Sequence, residues 1–320
     1  MSPPPFARLL ASPPPHVGVE IAARRVTVVT LGGGAPAVVT GHATEPLPDG
    51  AIVPAINATN LLEPAVVAAA LRRAWERLGL RTRRVALVVP DPVGKVSLVR
   101  FEKVPARTAD LVELLRWQVR KAAPFRIEDA QLAWAPGAAL PDGGQEFVVT
   151  LARRDIVEEY ERACGAVGAH AGLIDLASLN LINAVIAGAR GPLEGDWLLV
   201  HSTPEYSTLA IVRGAALIFF RSRAHDGDDS LADLVHQTVM YHEDRLGGGG
   251  IPRVVLVGVA AGDPRRAEAV RRDLEDRLGV GVESIDPRNA AALRDRIGAG
   301  QELLDMLASP LGLLLRARAA

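Results

Sequence analysis

A strand–turn–strand pattern opens this chain and returns, altered, about 180 residues later. The first copy covers residues 16–31 and the second covers residues 196–212. In each copy an apolar stretch, a short polar turn and a second apolar stretch follow one another, which is the pattern of a β-hairpin. Two hairpins that face each other across a cleft can present turn N–H groups to an anion. The repeat therefore predicts two related lobes with a cleft between them.

The composition bounds the class of protein. At 320 residues, with 49% hydrophobic residues, the chain can bury the cores of two domains or of one bilobed unit. A formal net charge of −1 supplies no basic field, so we expect no nucleic-acid partner. The single cysteine, Cys164, excludes an intramolecular disulfide framework and is typical of a reducing compartment. Because no long apolar span is visible, we expect a cytoplasmic chain, with any membrane association coming through a partner.

Strand and helix periodicities divide the chain into parts. The predicted parts are a flexible proline-rich arm at 1–15, a first lobe at 16–103 and 169–190, a small inserted subdomain at 104–168, and a second lobe at 191–320. The four-glycine run at 247–250 lacks the Lys-Ser/Thr of a phosphate loop. We interpret that run as a helix stop with a flexible connection.

Several short segments, each weak alone, together point to one family. In chain order they are VGVEI at 17–21, EPLP at 45–48, GAIV at 50–53, VALVVP at 85–90, VP at 104–105, KAAPF at 121–125, VVTLAR at 148–153, LID at 173–175, FFRS at 219–222, VVLVG at 254–258 and PLGLLLR at 310–316. Their order and spacing resemble the PilM family of type IV pilus assembly proteins, which is related to FtsA. The resemblance implies an α/β, two-lobed actin-like (RNase H-like) ATPase fold with an inserted subdomain of the FtsA/PilM type. One further small subdomain of the family, after Arg221, has no counterpart here.

The nucleotide site that the resemblance implies has degenerated. The family places an Asp and a Gly on the first strand, where this chain has Glu20 and Ala22. The Asp-x-Gly of the second hairpin is replaced by a segment that begins with His201 and ends with Thr203. A Cβ at a tight turn blocks close approach to an anion, and the lost carboxylate removes support for hydrated Mg²⁺. The residues of this vestigial site are Glu20, Ala22, Arg24, Arg25, His201, Thr203, Ser207, Gly227, Gly258 and Gly262.

These losses favour a pseudo-ATPase. We expect no catalytic residue, no metal site and no cofactor, with ATP and Mg²⁺ bound only if the cleft is still functional. No nucleophile, base and oxyanion hole assemble anywhere in the sequence.

The resemblance also implies a partner. PilM-type proteins bind the N-terminal cytoplasmic tail of a single-pass inner-membrane protein (PilN-like), in a groove between the first lobe and the insert, and connect it to cytosolic motor components. The groove residues expected here are Val89, Leu98, Phe101, Leu111, Leu114 and Leu115. On the residues alone, the Leu-rich helix at 108–121 can equally cover the insert's own sheet. Two other functions stay open: a nucleotide-binding actin-like switch, and a GspL-like cytosolic arm of a type II secretion system.

Overall fold

The first lobe is built on a six-stranded sheet. The structure, a computed structural model, describes residues 13–225, 230–259, 264–294 and 299–319. The strands of this sheet are β1 (Val17–Ala22), β2 (Arg25–Leu31), β3 (Val38–Pro46), β4 (Arg84–Val89), β8 (His170–Leu176) and β14 (Ala292–Leu293), in the order β14-β3-β2-β1-β4-β8. Strands β1 and β2 form the predicted first hairpin, with Ala22 opposite Arg25. Strands β4 and β8 run parallel to β1, and β8 is the outer strand.

Helices cover both faces of this sheet. Helix α1 (Pro64–Arg77) begins with a proline, which suits the first helical turn, and buries Leu71 and Trp75 against the sheet. Helix α7 (Gln301–Ala319) buries Leu307 and Leu311 on the opposite face, against β1, β2 and β4. The predicted division placed this last helix in the second lobe, and the structure corrects it. Its apolar residues complete the core of the first lobe.

The second lobe repeats the hairpin. Its strands are β9 (Asp196–Ser202), β10 (Tyr206–Arg213), β11 (Ala216–Ala224), β12 (Arg253–Val257) and β13 (Val282–Ser284), in the order β11-β10-β9-β12-β13. Helices α5 (Leu231–Arg245) and α6 (Pro264–Leu278) cover one face, and α4 (Ala177–Ala187) packs on the other face. The predicted division placed α4 in the first lobe, whereas its apolar residues join the core of the second. Six residues, 225–230, separate β11 from α5, so the additional family subdomain has no room there. Gly247 follows α5 with a φ of 64°, which confirms the predicted helix stop.

The insert has its own three-stranded sheet. Strands β5 (Gly94–Phe101), β6 (Ala130–Ala139) and β7 (Gln145–Arg153) are ordered β5-β7-β6, and helix α2 (Thr108–Val119) packs on them. Helix α3 (Arg154–Gly165) returns the chain to the first lobe, where Ile156 and Tyr160 join its core. The predicted insert began at residue 104, whereas β5 already pairs with β7 along its whole length. The boundary therefore lies at Gly94.

Helices α4 and α7 approach closely where the lobes join. A Cβ added to Gly312 would lie 1.9 Å from the carbonyl oxygen of Asn180, so only glycine fits at this crossing. Among the described residues, no helix has both the length and the apolar character needed to cross a bilayer.

Candidate functional site

The two hairpin turns meet at the mouth of a cleft between the lobes. The cleft has a volume of about 290 Å³. The structure brings to it most of the residues predicted for the vestigial nucleotide site, namely Glu20, Ala22, Arg24, Arg25, His201, Thr203 and Gly258. Gly227 and Gly262 lie outside the described residues. Ser207 does not line the cleft and hydrogen-bonds to Ser202 and to His225 instead.

Both arginines of the cleft are paired with carboxylates. Arg24, in the first hairpin turn, places Nε 2.6 Å from Oε1 of Glu205 in the second turn, and Nη1 2.9 Å from Asp49. The hydrogen bond from Arg24 to Glu205 is the main reason that the pKa of this guanidinium is raised. Arg25 lies 3.1 Å from the carboxylate of Glu20. Both arginines that could attract an anion therefore face carboxylates of the protein itself.

A buried carboxylate joins the lobes deeper in the cleft. Asp91 follows β4 and is fully buried. It accepts hydrogen bonds from the N–H of Ser178 (2.9 Å), from the Ser178 hydroxyl (2.5 Å) and from the hydroxyl of Thr208 on β10 (2.7 Å). Ser178 lies in the first turn of α4, which has no side-chain N-cap of its own, so Asp91 caps that helix from another element.

His201 completes this cluster. Its Nδ1 lies 2.9 Å from the Ser178 hydroxyl and 3.4 Å from Asp91. Because the Ser178 hydroxyl donates its proton to Asp91, it must accept one from His201, which places a proton on Nδ1. Burial alone would raise the pKa of Asp91, but hydrogen bonds from His201 and Ser178 outweigh it and hold that pKa below its ordinary value. His201, on β9 of the second lobe, thus contacts Asp91 of the first lobe.

The back of the cleft is closed by α7. Gly258 has a φ of 91° and donates its N–H to Asp305 on α7 at 2.9 Å, and burial raises the pKa of that carboxyl. A Cβ at Gly258 would lie 2.5 Å from the carbonyl oxygen of Ser202, so the turn needs glycine for its own packing. Ser309 Oγ and Arg25 Nε are buried beside the cleft and have no protein partner among the described residues. Both can hydrogen-bond to water there.

The donor set fits a magnesium nucleotide poorly. Mg²⁺ with phosphate needs free carboxylate oxygens and open turns. Here Glu20 is paired with Arg25, a histidine replaces the second carboxylate, and the turns are joined by Arg24. Among the described residues, no group of three or more His, Cys, Asp or Glu side chains could hold a metal ion.

A second depression runs between the first lobe and the insert. Its walls are β8, the outer strand of the six-stranded sheet, and β6, the outer strand of the insert's sheet. It consists of two adjoining cavities of about 460 and 730 Å³, which share the lining residues Ala133, Thr150, Leu173, Ile174 and Asp175. We call this depression the edge groove. Because both walls are outer strands, their unpaired backbone N–H and C=O groups can bond an added strand.

The edge groove is apolar, with charged groups of both signs along its walls. Arg154, Glu158 and Glu161 of α3 line one end. Burial raises the pKa of Asp175 at the floor, although Arg316 of α7 lies 2.6 Å from it. Arg213 and Arg316 line the other end, so three carboxyls and three guanidinium groups line the whole groove, and the acidic pair Glu158 and Glu161 lies at the α3 end.

The predicted groove residues are placed differently. Val89 lines the edge groove. Leu111 and Leu115 are buried beneath the insert's sheet, and Phe101 packs on Phe147 at 5.9 Å in the same cluster. Leu98 packs toward the core of the second lobe, and half-buried Leu114 does not line either cavity. Helix α2 therefore covers the insert's own sheet, which was the open alternative, and its leucines are not on the groove surface.

A family comparison decides what kind of protein carries these two sites. A family model described as type IV pilus assembly protein PilM matches residues 18–245, more than half of the chain. The chain belongs to the PilM family. The match includes both hairpins, the insert and both walls of the edge groove.

One solved structure agrees with a PilM-type fold. The structure of a "PilM-PilN type IV pilus biogenesis complex" is similar with a TM-score of 0.79 at 20% identity, over 94% of this chain and 98% of that chain. A Bacteroides thetaiotaomicron protein with an actin-like ATPase fold gives a TM-score of 0.48 at 10% identity, over 84% and 90%. The ethanolamine utilization protein EutJ from Carboxydothermus hydrogenoformans gives 0.49 at 10%, over 95% and 90%. No curated protein sequence matches significantly. The predicted family and the two-lobed fold are confirmed.

The PilM resemblance alone did not find the residues that join the lobes. Asp91 stands between two prolines and has the sequence of an ordinary turn. The available signal was its position two residues after the continuous apolar strand β4, because polar side chains just beyond the carboxyl end of such a strand often belong to a binding site. Ser178, Thr208 and Asp305 carry no such signal, since their role depends on how the lobes pack.

Proposed function

We propose that this PilM-family chain is a cytoplasmic adaptor of type IV pilus assembly that holds the N-terminal tail of a single-pass inner-membrane protein in the edge groove. The observation that carries the proposal is the pair of outer strands, β6 and β8, on either side of an apolar depression. An extended tail between them would gain main-chain hydrogen bonds, with alternate side chains in the depression. The similar solved structure is a complex of PilM with PilN, which supports a PilN-like tail as the occupant.

The charges of the edge groove support this occupant. Cytoplasmic segments next to a membrane span are enriched in Lys and Arg. Glu158 and Glu161 at the α3 end of the groove would complement such a tail, whereas Asp175 is already paired with Arg316. Arg154 and Arg213 are the opposing charges. An apolar tail with basic side chains beside α3 is therefore the chemistry that this groove fits best.

We further propose that the cleft does not hydrolyse ATP and that no cofactor is required. Arg24 and Glu205 join the turns that would hold phosphates, and the Asp91 cluster already holds the lobes together. With these contacts in place, the adaptor would keep its closed form without a ligand. Attachment to the inner membrane would come from the bound tail, and contact with cytosolic motor components stays a prediction.

A matched pair of variants tests the groove. Ala133→Arg adds a long cationic side chain at an exposed position shared by both cavities. Gln118→Arg adds the same side chain on the exposed face of α2, away from the groove. Titration with fluorescent cytoplasmic tails of inner-membrane proteins encoded beside this gene should give saturable binding that Ala133→Arg weakens at least about tenfold, or about 1.4 kcal/mol. Gln118→Arg should bind like the wild type, and equal binding by both variants would overturn the proposal.

A further inference from the structure

The described chain begins beside the end of the edge groove that Gly172 lines. The carbonyl oxygen of Pro13 lies 3.5 Å from Nη1 of Arg84, at the start of β4. The side chain of Arg84 packs over Gly172 of β8, where an added Cβ would lie 2.9 Å from Arg84 Nε. Gly172 lines the groove. Residues 1–12, which lie outside the described part of the chain, are therefore attached beside the site proposed for the tail.

The sequence of residues 1–12 has the chemistry that the groove fits. Between two proline triplets it carries Phe6, Leu9 and Leu10 as its large apolar side chains after Met1. Arg8 is its single charged side chain. An apolar segment with one basic side chain matches a depression lined by Leu173 and Ile174 and bordered at its α3 end by Glu158 and Glu161.

The attachment point and the length allow contact. Twelve residues span at most about 40 Å when extended. Strand β8 has seven residues, or about 23 Å at the rise of a β-strand. The segment can therefore reach along the whole groove from Pro13.

We propose that residues 1–12 bind the edge groove of the same molecule and compete with the tail of the membrane partner. This inference rests on the proposed function, because it assigns a regulator to the same site. A short tether gives an effective concentration on the order of 1 mM. If the free peptide binds with a Kd of about 100 µM, the tethered segment would make occupied grooves about ten times more abundant than empty ones. The apparent affinity of a competing ligand would fall by a similar factor.

The probe is a fluorescent peptide with the sequence of residues 1–12. It is titrated into the full chain, into the chain lacking residues 1–12, and into a full-length Phe6→Ser/Leu9→Ser/Leu10→Ser variant, with Ser2→Ala as the matched control. We expect the shortened chain and the triple variant to bind the peptide about tenfold more tightly than the full chain and Ser2→Ala. Adding Ala133→Arg to the shortened chain should abolish that binding. No binding to the shortened chain and the triple variant, or equal binding by all four proteins, would overturn the inference.

Parallel titrations with the inner-membrane tails separate this inference from the proposed function. If tails bind the full and shortened chains equally and the peptide binds neither, the competition fails and the adaptor function stands. If the peptide binds as expected and no tail binds the shortened chain, the adaptor function fails and the intramolecular contact stands.

Discussion

Arg24 and Glu205 join the two hairpin turns across the cleft, with Nε of Arg24 2.6 Å from Oε1 of Glu205. In this fold such turns offer N–H groups to an anion. Here each turn instead presents a charged side chain to the other turn. The contact therefore joins the two turns through the protein's own side chains.

The strength of this contact can be measured in a double-mutant cycle with Arg24→Ala, Glu205→Ala and the double variant. The Arg24 side chain is 49% exposed, so solvent screens the pair and the coupling energy should be about 0.5–1 kcal/mol. Urea unfolding at low and high salt gives the value, which should fall with salt. A coupling energy indistinguishable from zero at low salt would contradict a bridge between the turns.

The Asp91 cluster should contribute more to the free energy of unfolding than this exposed bridge. Thr208→Val keeps the shape of the side chain but removes a donor to a fully buried carboxylate. We expect a loss of about 1–3 kcal/mol in urea unfolding. Thr59→Val serves as the control, because Thr59 is exposed and its hydroxyl makes no hydrogen bond to another described residue; it should change stability by less than about 0.5 kcal/mol. Equal effects would show that Thr208 does not hold the lobes together.

The contribution of Asp91 should also depend on pH in a specific window. Its folded-state pKa is lowered, so its stabilisation is fully present above the ordinary value of 3.8 and is lost as pH falls through the lower folded value. The stability difference between the wild type and Asp91→Asn should stay constant from about pH 7 to pH 5 and shrink only below about pH 4. Denaturant midpoints across this range measure it. A difference that shrinks between pH 7 and 6 would contradict the assignment to Asp91.

Alanine substitutions at two glycines test the turn behind the cleft: Gly258 lies in that turn, and Gly249, in the four-glycine run, is the control. Gly258 has a positive φ, and its Cβ would lie 2.5 Å from a backbone oxygen, whereas a Cβ at Gly249 meets nothing within 4 Å. Gly258→Ala should therefore destabilise by about 1–3 kcal/mol. Gly249→Ala should change stability by less than about 1 kcal/mol, as expected for a plain connection. If thermal unfolding shows the reverse order, the four-glycine run has a structural role that its sequence does not reveal.

Local sequence patterns predicted the helices and strands better than they predicted which other elements each one packs against. The hairpins, the helix stop at Gly247 and the course of α1 follow from periodicity and turn chemistry within short windows. Strand β5 was assigned to the first lobe because its pairing with β7 joins residues about fifty positions apart, which no local pattern specifies. The same limit applies to α7, whose apolar residues do not indicate which sheet they cover.

The candidate sites show the same division. Sequence placed Glu20, Arg24 and His201 at one cleft because the hairpin repeat fixes where strand ends meet. It did not find Asp91 or the edge groove, since both exist only after separate parts of the chain pack together. Leu111 and Leu115 were expected on a surface because a helical stripe is apolar whether it faces a ligand or its own sheet.

The most direct test of the account measures the Kd of an inner-membrane tail in the absence and in the presence of MgATP. The MgATP concentration is about 1 mM, which would nearly saturate a nucleotide site with a Kd of about 100 µM. The tail should bind without nucleotide, MgATP should change its Kd by less than about twofold, and calorimetry should detect no MgATP binding tighter than about 10 µM. These results would support an adaptor whose two lobes are held together by its own side chains without nucleotide. Tail binding that appears only with MgATP, or tight MgATP binding by the chain alone, would contradict it and favour a nucleotide switch.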